Sequence, residues 1–137
     1  GYMIKVKRNF DNKVLSWKEI LDELWKAFYE EQDVKFNPPA FFTTSSANHI
    51  KKAKRILKKL KLKEAHLYVS LTHSSSSFGR HNDDTDVYFW QQQGATLWKF
   101  DNKKPITLRK GDLIYIPKGA YHDVTSLSPR AGLSMGI

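Results

Sequence analysis

The pattern of apolar and polar residues changes near residue 65. Before that point, apolar positions recur every three or four residues in two segments, and after it they alternate in short runs separated by turn residues. A period of about 3.6 indicates helix and a period of two indicates strand. We therefore expect a helical and loop region over residues 3–64, with Met3 as the native start, packed on a barrel core over residues 65–137, in one domain overall.

The first predicted helix begins after Ser16. Ser16 and Glu19 have the spacing of a capping box, in which the serine accepts a hydrogen bond from the backbone N–H of Glu19 and the glutamate reaches back. An apolar stripe at helical spacing follows and is expected to pack on the core: Trp17, Ile20, Leu21, Leu24 and Phe28. Pro38 and Pro39 cannot continue a helix and predict an extended connection.

A second helix is predicted over residues 46–61, and most of its surface is basic. One face is apolar, with Ile50, Ala53, Leu57 and Leu60. The other positions carry positive charge: Lys51, Lys52, Lys54, Arg55, Lys58, Lys59 and Lys61. Such a surface is typical of a solvated helix, and it also fits a contact patch for RNA or for an acidic protein. The helix has no aromatic residue for stacking on bases, which favours the first interpretation.

Seven short strands are predicted after residue 64, which indicates an antiparallel sandwich or barrel. Turn residues such as Asn102 and Gly111 separate them. The expected strands cover residues 65–72, 86–92, 96–100, 106–108, 112–116, 121–125 and 133–137.

His81 and Asp83 are the first candidates for chemistry. Two residues apart in a strand, their side chains point to the same face, so an imidazole and a carboxylate can hold one ion from one side. This spacing alone is common by chance. A surface histidine beside acidic residues is the ordinary alternative.

A second motif ends at His122. It has the form Gly111-x5-Pro117-x-Gly119-x2-His122, in which a tight turn enters a buried strand and a Pro/Gly corner delivers the histidine to the next strand. This is the complete second cupin motif, and it favours a metal ligand over a core histidine. Together with the first pair it gives two imidazoles and one carboxylate, the facial triad of non-haem Fe(II) oxygenases, which leaves about three coordination positions open.

The stretch from Phe78 to Ile137 resembles the JmjC-type, cupin-4 branch of the 2-oxoglutarate oxygenases, which includes the ribosomal oxygenases and the asparaginyl hydroxylases. The matching segments are residues 78–88, Gln91, Gly94, Trp98, 108–122 and 133–137. The resemblance implies a mainly β fold with N-terminal helices, a double-stranded β-helix (cupin, jelly-roll) barrel. It also implies a hydroxylase that uses 2-oxoglutarate and O2, with Fe(II) held by His81, Asp83 and His122.

One position departs from the family pattern. Relatives carry Lys or Arg fifteen residues after the first ligand histidine, to pair with the distal carboxylate of 2-oxoglutarate, and here that residue is Thr96. A hydroxyl can donate one hydrogen bond but supplies no charge. Arg130 is a candidate substitute, with a solvent-exposed loop arginine as the alternative. Trp98 shares a strand face with Thr96, which makes it a candidate pocket residue, with core packing as the alternative. Tyr68 lies on a strand that could border the site and is a second candidate.

Two other functions stay open. Without a basic anchor, the chain could be a metal-binding cupin that uses no 2-oxoglutarate, such as a small-molecule dioxygenase or isomerase. It could also be a non-catalytic binding module that acts through the basic helix between Lys51 and Lys61. The sequence does not indicate whether the substrate is a protein side chain or a small molecule.

Composition and the predicted fold add further expectations. The 40% hydrophobic and 13% aromatic content is that of a globular chain, and the net charge of +9 favours acidic partners such as nucleic acid. The lack of cysteine excludes a disulfide scaffold and a thiolate metal site, and it fits a cytoplasmic protein. No apolar run approaches the roughly 20 residues that cross a bilayer, so no membrane association is expected. Exposed barrel edges would allow a homodimer.

Overall fold

Two antiparallel sheets face each other, and the larger one takes strands from both halves of the chain. The computed structural model describes residues 3–30, 34–37, 41–44, 46–72 and 78–137. In these residues the elements are, in order, β1 (Lys5–Lys7), α1 (Trp17–Tyr29), β2 (Val34–Asn37), β3 (Phe41–Thr44), α2 (Lys51–Leu60), β4 (Glu64–Ser70), β5 (Val87–Gln93), β6 (Ala95–Phe100), β7 (Lys103–Arg109), β8 (Leu113–Ile116), β9 (His122–Ser126) and β10 (Arg130–Gly136).

The strand order confirms the predicted mainly β, jelly-roll fold. The larger sheet has the order β1-β8-β5-β10-β4-β3-β2, and the smaller has the order β7-β6-β9. All seven strands predicted after residue 64 are present, with shifted ends. One shift matters for the site, because the last strand begins at Arg130 rather than at Leu133. This shift moves Arg130 from a predicted loop into the sheet, directly opposite Ser70 of β4.

The region before residue 64 is not only helix and loop, as its sequence pattern predicts. It adds β1 at one edge of the larger sheet and the β2–β3 pair at the other. The strand β1 has one apolar residue, Val6, between two lysines, so its sequence carries little strand signal. Its conformation comes from antiparallel pairing with β8, in which Val6 lies opposite Ile114. The connection predicted at Pro38 and Pro39 lies outside the described residues.

The capping box of α1 is confirmed. The backbone N–H of Glu19 donates to Ser16 Oγ at 3.1 Å, and the backbone N–H of Ser16 donates to Glu19 Oε1 at 3.0 Å. The predicted apolar stripe is wrong in part, because Leu21 is 47% exposed and Phe28 is 51% exposed. Ala27 takes the buried position instead, so the contact face of α1 is narrower than the apolar stripe in its sequence.

The helix α2 begins five residues later than predicted. Asn48, inside the predicted helix, bridges instead to β4: its Nδ2 donates to Lys63 O at 2.9 Å, and its Oδ1 accepts from the backbone N–H of Ala65 at 2.7 Å. No helix in the described ranges is long and apolar enough to span a membrane.

The larger sheet separates two cores. On its outer face, residues such as Leu67, Leu133 and Trp90 pack against α1 and α2. On its inner face, Phe89 and Ile114 pack against the smaller sheet. Because side chains alternate along a strand, each central strand serves both cores at once. The odd-numbered residues of β10 face the helices, and its even-numbered residues face the space between the sheets.

Asp112, in the second motif, fastens the N-terminal segment to the barrel. Its carboxylate accepts from Arg8 Nη1 at 2.8 Å and from the backbone N–H groups of Asn9 and Arg109, each at 3.0 Å. Burial acts to raise the pKa of Asp112, but these hydrogen bonds outweigh it and hold the pKa below the ordinary value. The ionised carboxylate is therefore the form that stabilises the fold.

Asp112→Asn is expected to lower the free energy of unfolding at pH 7 by about 1–3 kcal/mol, since a buried charged acceptor is lost. A carboxyl group with a depressed pKa contributes stability above its unfolded pKa and loses it as pH falls through the folded pKa. The gap between wild type and variant should therefore close at acid pH. Urea unfolding at pH 7 and at progressively lower pH measures it, and a gap that stays constant would contradict this role.

Gly132 allows β10 to approach Phe89 closely. A Cβ atom built on Gly132 would lie 2.1 Å from Phe89 Cζ and 2.2 Å from Cε1, which no packing tolerates.

Gly132→Ala is expected to displace the ring and cost about 1–3 kcal/mol of stability. Gly136→Ala on the same strand is the matched control, because its nearest neighbour would be Asp86 O at 3.7 Å. Equal urea midpoints for the two variants would show that the close approach is unimportant.

Candidate metal centre and its pocket

Backbone pairing brings the two sequence motifs together. His81 and His122 form an isolated antiparallel bridge, in which the N–H of His81 donates to His122 O at 2.9 Å and the N–H of His122 donates to His81 O at 2.8 Å. The N–H of Gly119 donates to Asp83 O at 3.0 Å. Gly119 has φ +84°, which an L residue rarely adopts, so glycine is needed at this corner.

The side chains of His81, Asp83 and His122 converge on one point. One nitrogen or oxygen from each lies within 4.8 Å of the others. His122 Nε2 is 3.4 Å from Asp83 Oδ2, and His81 Nε2 is 3.9 Å from Asp83 Oδ1. Ligands about 2.0–2.2 Å from one ion and at right angles are about 3 Å apart. The three groups are therefore nearly at the separation that a shared ion requires.

Both imidazoles have the tautomer that a metal needs. His81 Nδ1 is 2.9 Å from Gly79 O, and His122 Nδ1 is 2.9 Å from Ala120 O. A carbonyl oxygen can only accept, so each neutral ring carries its proton on Nδ1 and offers the Nε2 lone pair. Burial lowers the pKa of His122, which favours the neutral ring at pH 7. Both Nε2 atoms are those that lie closest to Asp83.

The centre is open on one side. The side chain of His122 is 6% exposed, whereas those of His81 and Asp83 are 29% and 35% exposed. Asp86, an acid three residues after Asp83, is used elsewhere, because its Oδ1 accepts from the backbone N–H of Lys118 at 2.8 Å. A three-ligand set with open positions is therefore the arrangement found in the described residues.

A pocket extends from the triad into the space between the sheets. Its walls are mainly aromatic and aliphatic, with one cation and two hydroxyls: Tyr68, Phe78, Val87, Phe89, Trp98, Val124, Arg130 and Ser134. Trp98 stacks on His122 with ring centroids 5.9 Å apart and planes 25° apart. The structure thus brings Tyr68, Trp98 and Arg130 into one pocket with the predicted metal ligands.

Arg130 is a buried cation in this pocket. Its residue surface is 1% exposed, so the alternative of a solvent-exposed loop arginine is wrong. Its Nε donates to Ser126 Oγ at 3.1 Å and to Ser70 Oγ at 3.2 Å. Burial lowers the pKa of Arg130 to about 10, so the guanidinium is still charged at neutral pH. A β-bulge between Ala131 and Gly132 lies beside it, a feature that often redirects a side chain next to a site.

Thr96 does not line the pocket. It is fully buried, its hydroxyl donates to Gln91 Oε1 at 3.0 Å, and it accepts from Trp98 Nε1 at 2.9 Å. The hydroxyl thereby holds the indole that stacks on His122. The interpretation of Thr96 as a direct contact to a cosubstrate has no support in this geometry, since its only donor is already used.

Several residues that line the pocket are not among the site residues predicted from the sequence. Val87 and Phe89 alternate along β5 with Tyr88 and Trp90, so strand parity alone could have assigned them to the inner face. Ser134 shares the inner face of β10, and its hydroxyl is hydrogen-bonded to Tyr68. That bond acts to lower the pKa of Tyr68, but burial is the larger effect and raises it. The phenol therefore stays protonated at neutral pH.

Comparison with known families supports the resemblance found in the sequence. The model of the JmjC domain family matches residues 42–107, just under half of the 137 residues. This match contains His81 and Asp83 and ends before the second motif, so His122 joins the site through the fold. The expected resemblance to JmjC-type cupins is confirmed. No curated protein sequence matches the chain.

Solved structures show the same fold. YcfD, a ribosomal oxygenase from Escherichia coli, in complex with cobalt and 2-oxoglutarate is 16% identical, with a TM-score of 0.79 over 97% of this chain and 47% of that one. Its complex with cobalt and succinic acid is 19% identical, with a TM-score of 0.76 over the same shares. A cupin superfamily protein from Desulfitobacterium hafniense is 13% identical, with a TM-score of 0.56 over 75% of this chain and 82% of that one. The chain spans about half the length of the E. coli oxygenase.

The geometry predicts one divalent ion at the triad. Titration with Co(II) or Mn(II), followed by calorimetry, should show one site per chain, and His81→Ala or Asp83→Ala should weaken it at least ten- to hundred-fold. His49→Ala is the matched control, since that imidazole pairs with Glu23 on the surface, 2.7 Å away. If wild type and the three variants bound the metal with equal affinity, the triad would not be the binding site.

Proposed function

We propose that the chain is a non-haem Fe(II)- and 2-oxoglutarate-dependent oxygenase, a hydroxylase by reaction type. The observation that carries the proposal is one pocket that contains a His81–Asp83–His122 triad and a buried cation, Arg130. Iron and 2-oxoglutarate, when bound, would supply the activation of O2 that hydroxylation of an unactivated C–H bond requires. The JmjC family match and the E. coli oxygenase that binds cobalt and 2-oxoglutarate support the same assignment.

The donor set fits Fe(II) and does not fit a structural zinc site. Two neutral imidazoles and one carboxylate with open positions form the ligand set of non-haem iron oxygenases. A structural zinc site would close its fourth position with a protein ligand, and the described residues offer only three. The cobalt in the E. coli relative occupies a site in a protein of the same fold.

Arg130 is the residue we assign to the distal carboxylate of 2-oxoglutarate. In β6–β9 pairing, Thr96 lies directly opposite Ser126, and the Ser126 hydroxyl accepts from Arg130 Nε. Arg130 therefore reaches the neighbourhood of the strand position that carries Lys or Arg in relatives. The positive charge is supplied from β10 instead of β6, and a charge-assisted hydrogen bond to a carboxylate is retained.

The other walls have simpler tasks in this proposal. The aromatic rings of Tyr68, Phe89 and Trp98 exclude water from the space beside the triad. A dry pocket strengthens the attraction between Arg130 and a carboxylate, because the effective dielectric constant is lower than in water. The more exposed His81 and Asp83 mark the side from which O2 and substrate would enter.

The reaction is tested with the purified full chain, Fe(II), 2-oxoglutarate and O2. Succinate should form slowly even without substrate, and His81→Ala should abolish it. The matched control is again His49→Ala, which should retain full turnover. No succinate, together with no binding of 2-oxoglutarate to the Fe(II)- or Mn(II)-loaded protein, would reject the proposal.

Arg130 and Thr96 give opposite expectations for cosubstrate affinity. Arg130→Met should raise the Kd of 2-oxoglutarate at least ten-fold, since a hydrogen bond to a charged group contributes about 1.5–3 kcal/mol. Arg130→Lys keeps the charge and should recover part of the affinity. Thr96→Val removes the hydroxyl that orients Trp98 but should change this Kd little. Titration of the Mn(II)-loaded proteins measures all three, and a loss confined to Thr96→Val would transfer the anchoring role to Thr96.

A second candidate is a metal-binding cupin that uses no 2-oxoglutarate. The observation that favours it is Thr96, which occupies the family anchor position without offering charge or a spare donor. This candidate predicts metal binding at the triad and no rise in melting temperature with 2-oxoglutarate or an inert analogue. The first proposal predicts a metal-dependent rise with both.

A further inference from the structure

The basic residues of α2 fall into two groups. One group is used inside the molecule: Lys52 contacts Glu19 Oε1 at 2.9 Å and Val14 O at 2.8 Å, Arg55 forms a bidentate pair with Asp11, and Lys59 lies 4.9 Å from the ring centroid of Phe10. These side chains fasten α2 to the N-terminal segment. They leave a second group on another face of the helix.

The second group, which we call the lysine stripe, consists of Lys51, Lys54, Lys58 and Lys61. All four are exposed, and none forms a side-chain hydrogen bond or ion pair within the described part of the chain. At about 100° per residue Lys51, Lys54 and Lys58 fall within an arc of about 60°, away from buried Ala53, Ile56 and Leu57, and Lys61 follows at the C-cap. At a rise of about 1.5 Å per residue the three helical lysines span about 10 Å, with roughly one lysine per turn.

The stripe is unfavourable for the helix itself. Six of the ten residues of α2 are basic, none is acidic, and Ile50 at the N-cap makes no side-chain capping bond. Lys51 and Lys54 face the positive end of the helix dipole, whereas Lys58 near the negative end is favoured by it, and like charges three or four residues apart repel each other. Solubility needs no such concentration of charge. A row of cations without internal partners instead suits an external polyanion.

We propose that the lysine stripe binds the phosphate backbone of double-stranded RNA. Regularly spaced point charges along a straight line match a polymer with regularly spaced anions. A protein partner fits less well, because lysine is depleted at protein–protein interfaces and the stripe offers no apolar or aromatic centre. The lack of aromatic residues on α2 likewise argues against single strands, whose bases stack on such side chains.

Duplex RNA fits better than duplex DNA for a related reason. Base reading in the DNA major groove combines Arg or Lys contacts to guanine with Asn or Gln contacts to adenine, and the stripe has lysine alone. Duplex RNA is recognised mainly by its shape and its phosphates rather than by its base edges. We therefore expect binding without sequence preference.

The stripe and the metal pocket lie on opposite sides of the larger sheet. α2 packs on the outer core, whereas the triad and Arg130 open into the space between the sheets. The inference therefore does not depend on the proposed oxygenase function. His81→Ala should bind RNA as wild type does, and stripe variants should bind Co(II) as wild type does, so failure of one proposal is distinguishable from failure of the other.

Fluorescence anisotropy with a labelled RNA duplex of about 16 base pairs tests the stripe. Each phosphate contact contributes about −0.9 to the slope of log K against log salt in duplex DNA, so four contacts predict about a hundred-fold loss of affinity between 50 and 200 mM salt. The triple variant Lys51→Glu, Lys54→Glu and Lys58→Glu should weaken binding at least ten-fold and flatten the salt dependence. The triple Lys→Gln variant at the same positions should show a smaller loss of the same kind.

The matched control moves the same charge change to another surface. Lys99→Glu, Lys103→Glu and Lys104→Glu alter exposed lysines on the smaller sheet and, like the stripe triple, lower the net charge from +9 to +3. An equal loss of RNA affinity in both triples would overturn the proposal, since net charge alone would then explain binding. Circular dichroism and Co(II) affinity check that each variant is folded.

Two further probes test the choice of partner. RNA affinity at least equal to that for a DNA duplex of the same sequence supports the proposal, and tighter binding to DNA would overturn the choice of RNA. Poly-L-glutamate serves as an acidic polypeptide. Binding of poly-L-glutamate through the stripe, with no binding of RNA, would show that the stripe is a protein contact.

Discussion

Two hydrogen bonds between the backbones of His81 and His122 hold the candidate centre together. Each histidine comes from a different sequence motif, and neither motif could form a tridentate site alone. The bridge holds the centroids of the two imidazole rings 4.4 Å apart. The hydrogen bond from the Gly119 N–H to Asp83 O places the carboxylate of Asp83 beside them. Since the backbone makes these contacts, the geometry of the site is set by strand pairing rather than by the side chains that would bind the metal. A ligand-free triad can therefore be nearly preorganised, which lowers the cost of binding an ion.

The larger sheet lets one short chain carry two unrelated surfaces. Its central strands send alternate side chains to the helical layer and to the pocket, so the outer core supports the pocket without contacting it. β10 shows this most clearly: Ala131, Leu133 and Met135 pack toward the helices, while Arg130 and Ser134 line the pocket. The register of this strand consequently determines both the stability of the helical layer and the chemistry of the site.

Much of the fold follows from local sequence, and the exceptions depend on long-range pairing. The capping box at Ser16, the seven alternating strands and the Pro117-Gly119 corner are all encoded within a few residues. β1 is not, because a lysine-flanked valine becomes a strand only beside β8. In the same way, Pro129 suggests a loop at Arg130, and only pairing with Ser70 shows that β10 has already begun. Strand parity predicts that Thr96 and Trp98 share a face, but the hydrogen bonds of Thr96 to Gln91 and Trp98 depend on side-chain geometry that parity does not contain.

The burial of Arg130 has a consequence for which substitutions at this position would raise the stability of the protein. A guanidinium whose pKa falls to about 10 through burial is held in its place at the expense of folding free energy. Laboratory selection for heat resistance alone would favour apolar replacements at this position. An arginine kept at this position in natural sequences would therefore indicate selection for binding of an anionic ligand rather than for stability. Relatives in which this cation is no longer needed should be recognisable by a hydrocarbon side chain at this point of the last strand and by a higher melting temperature.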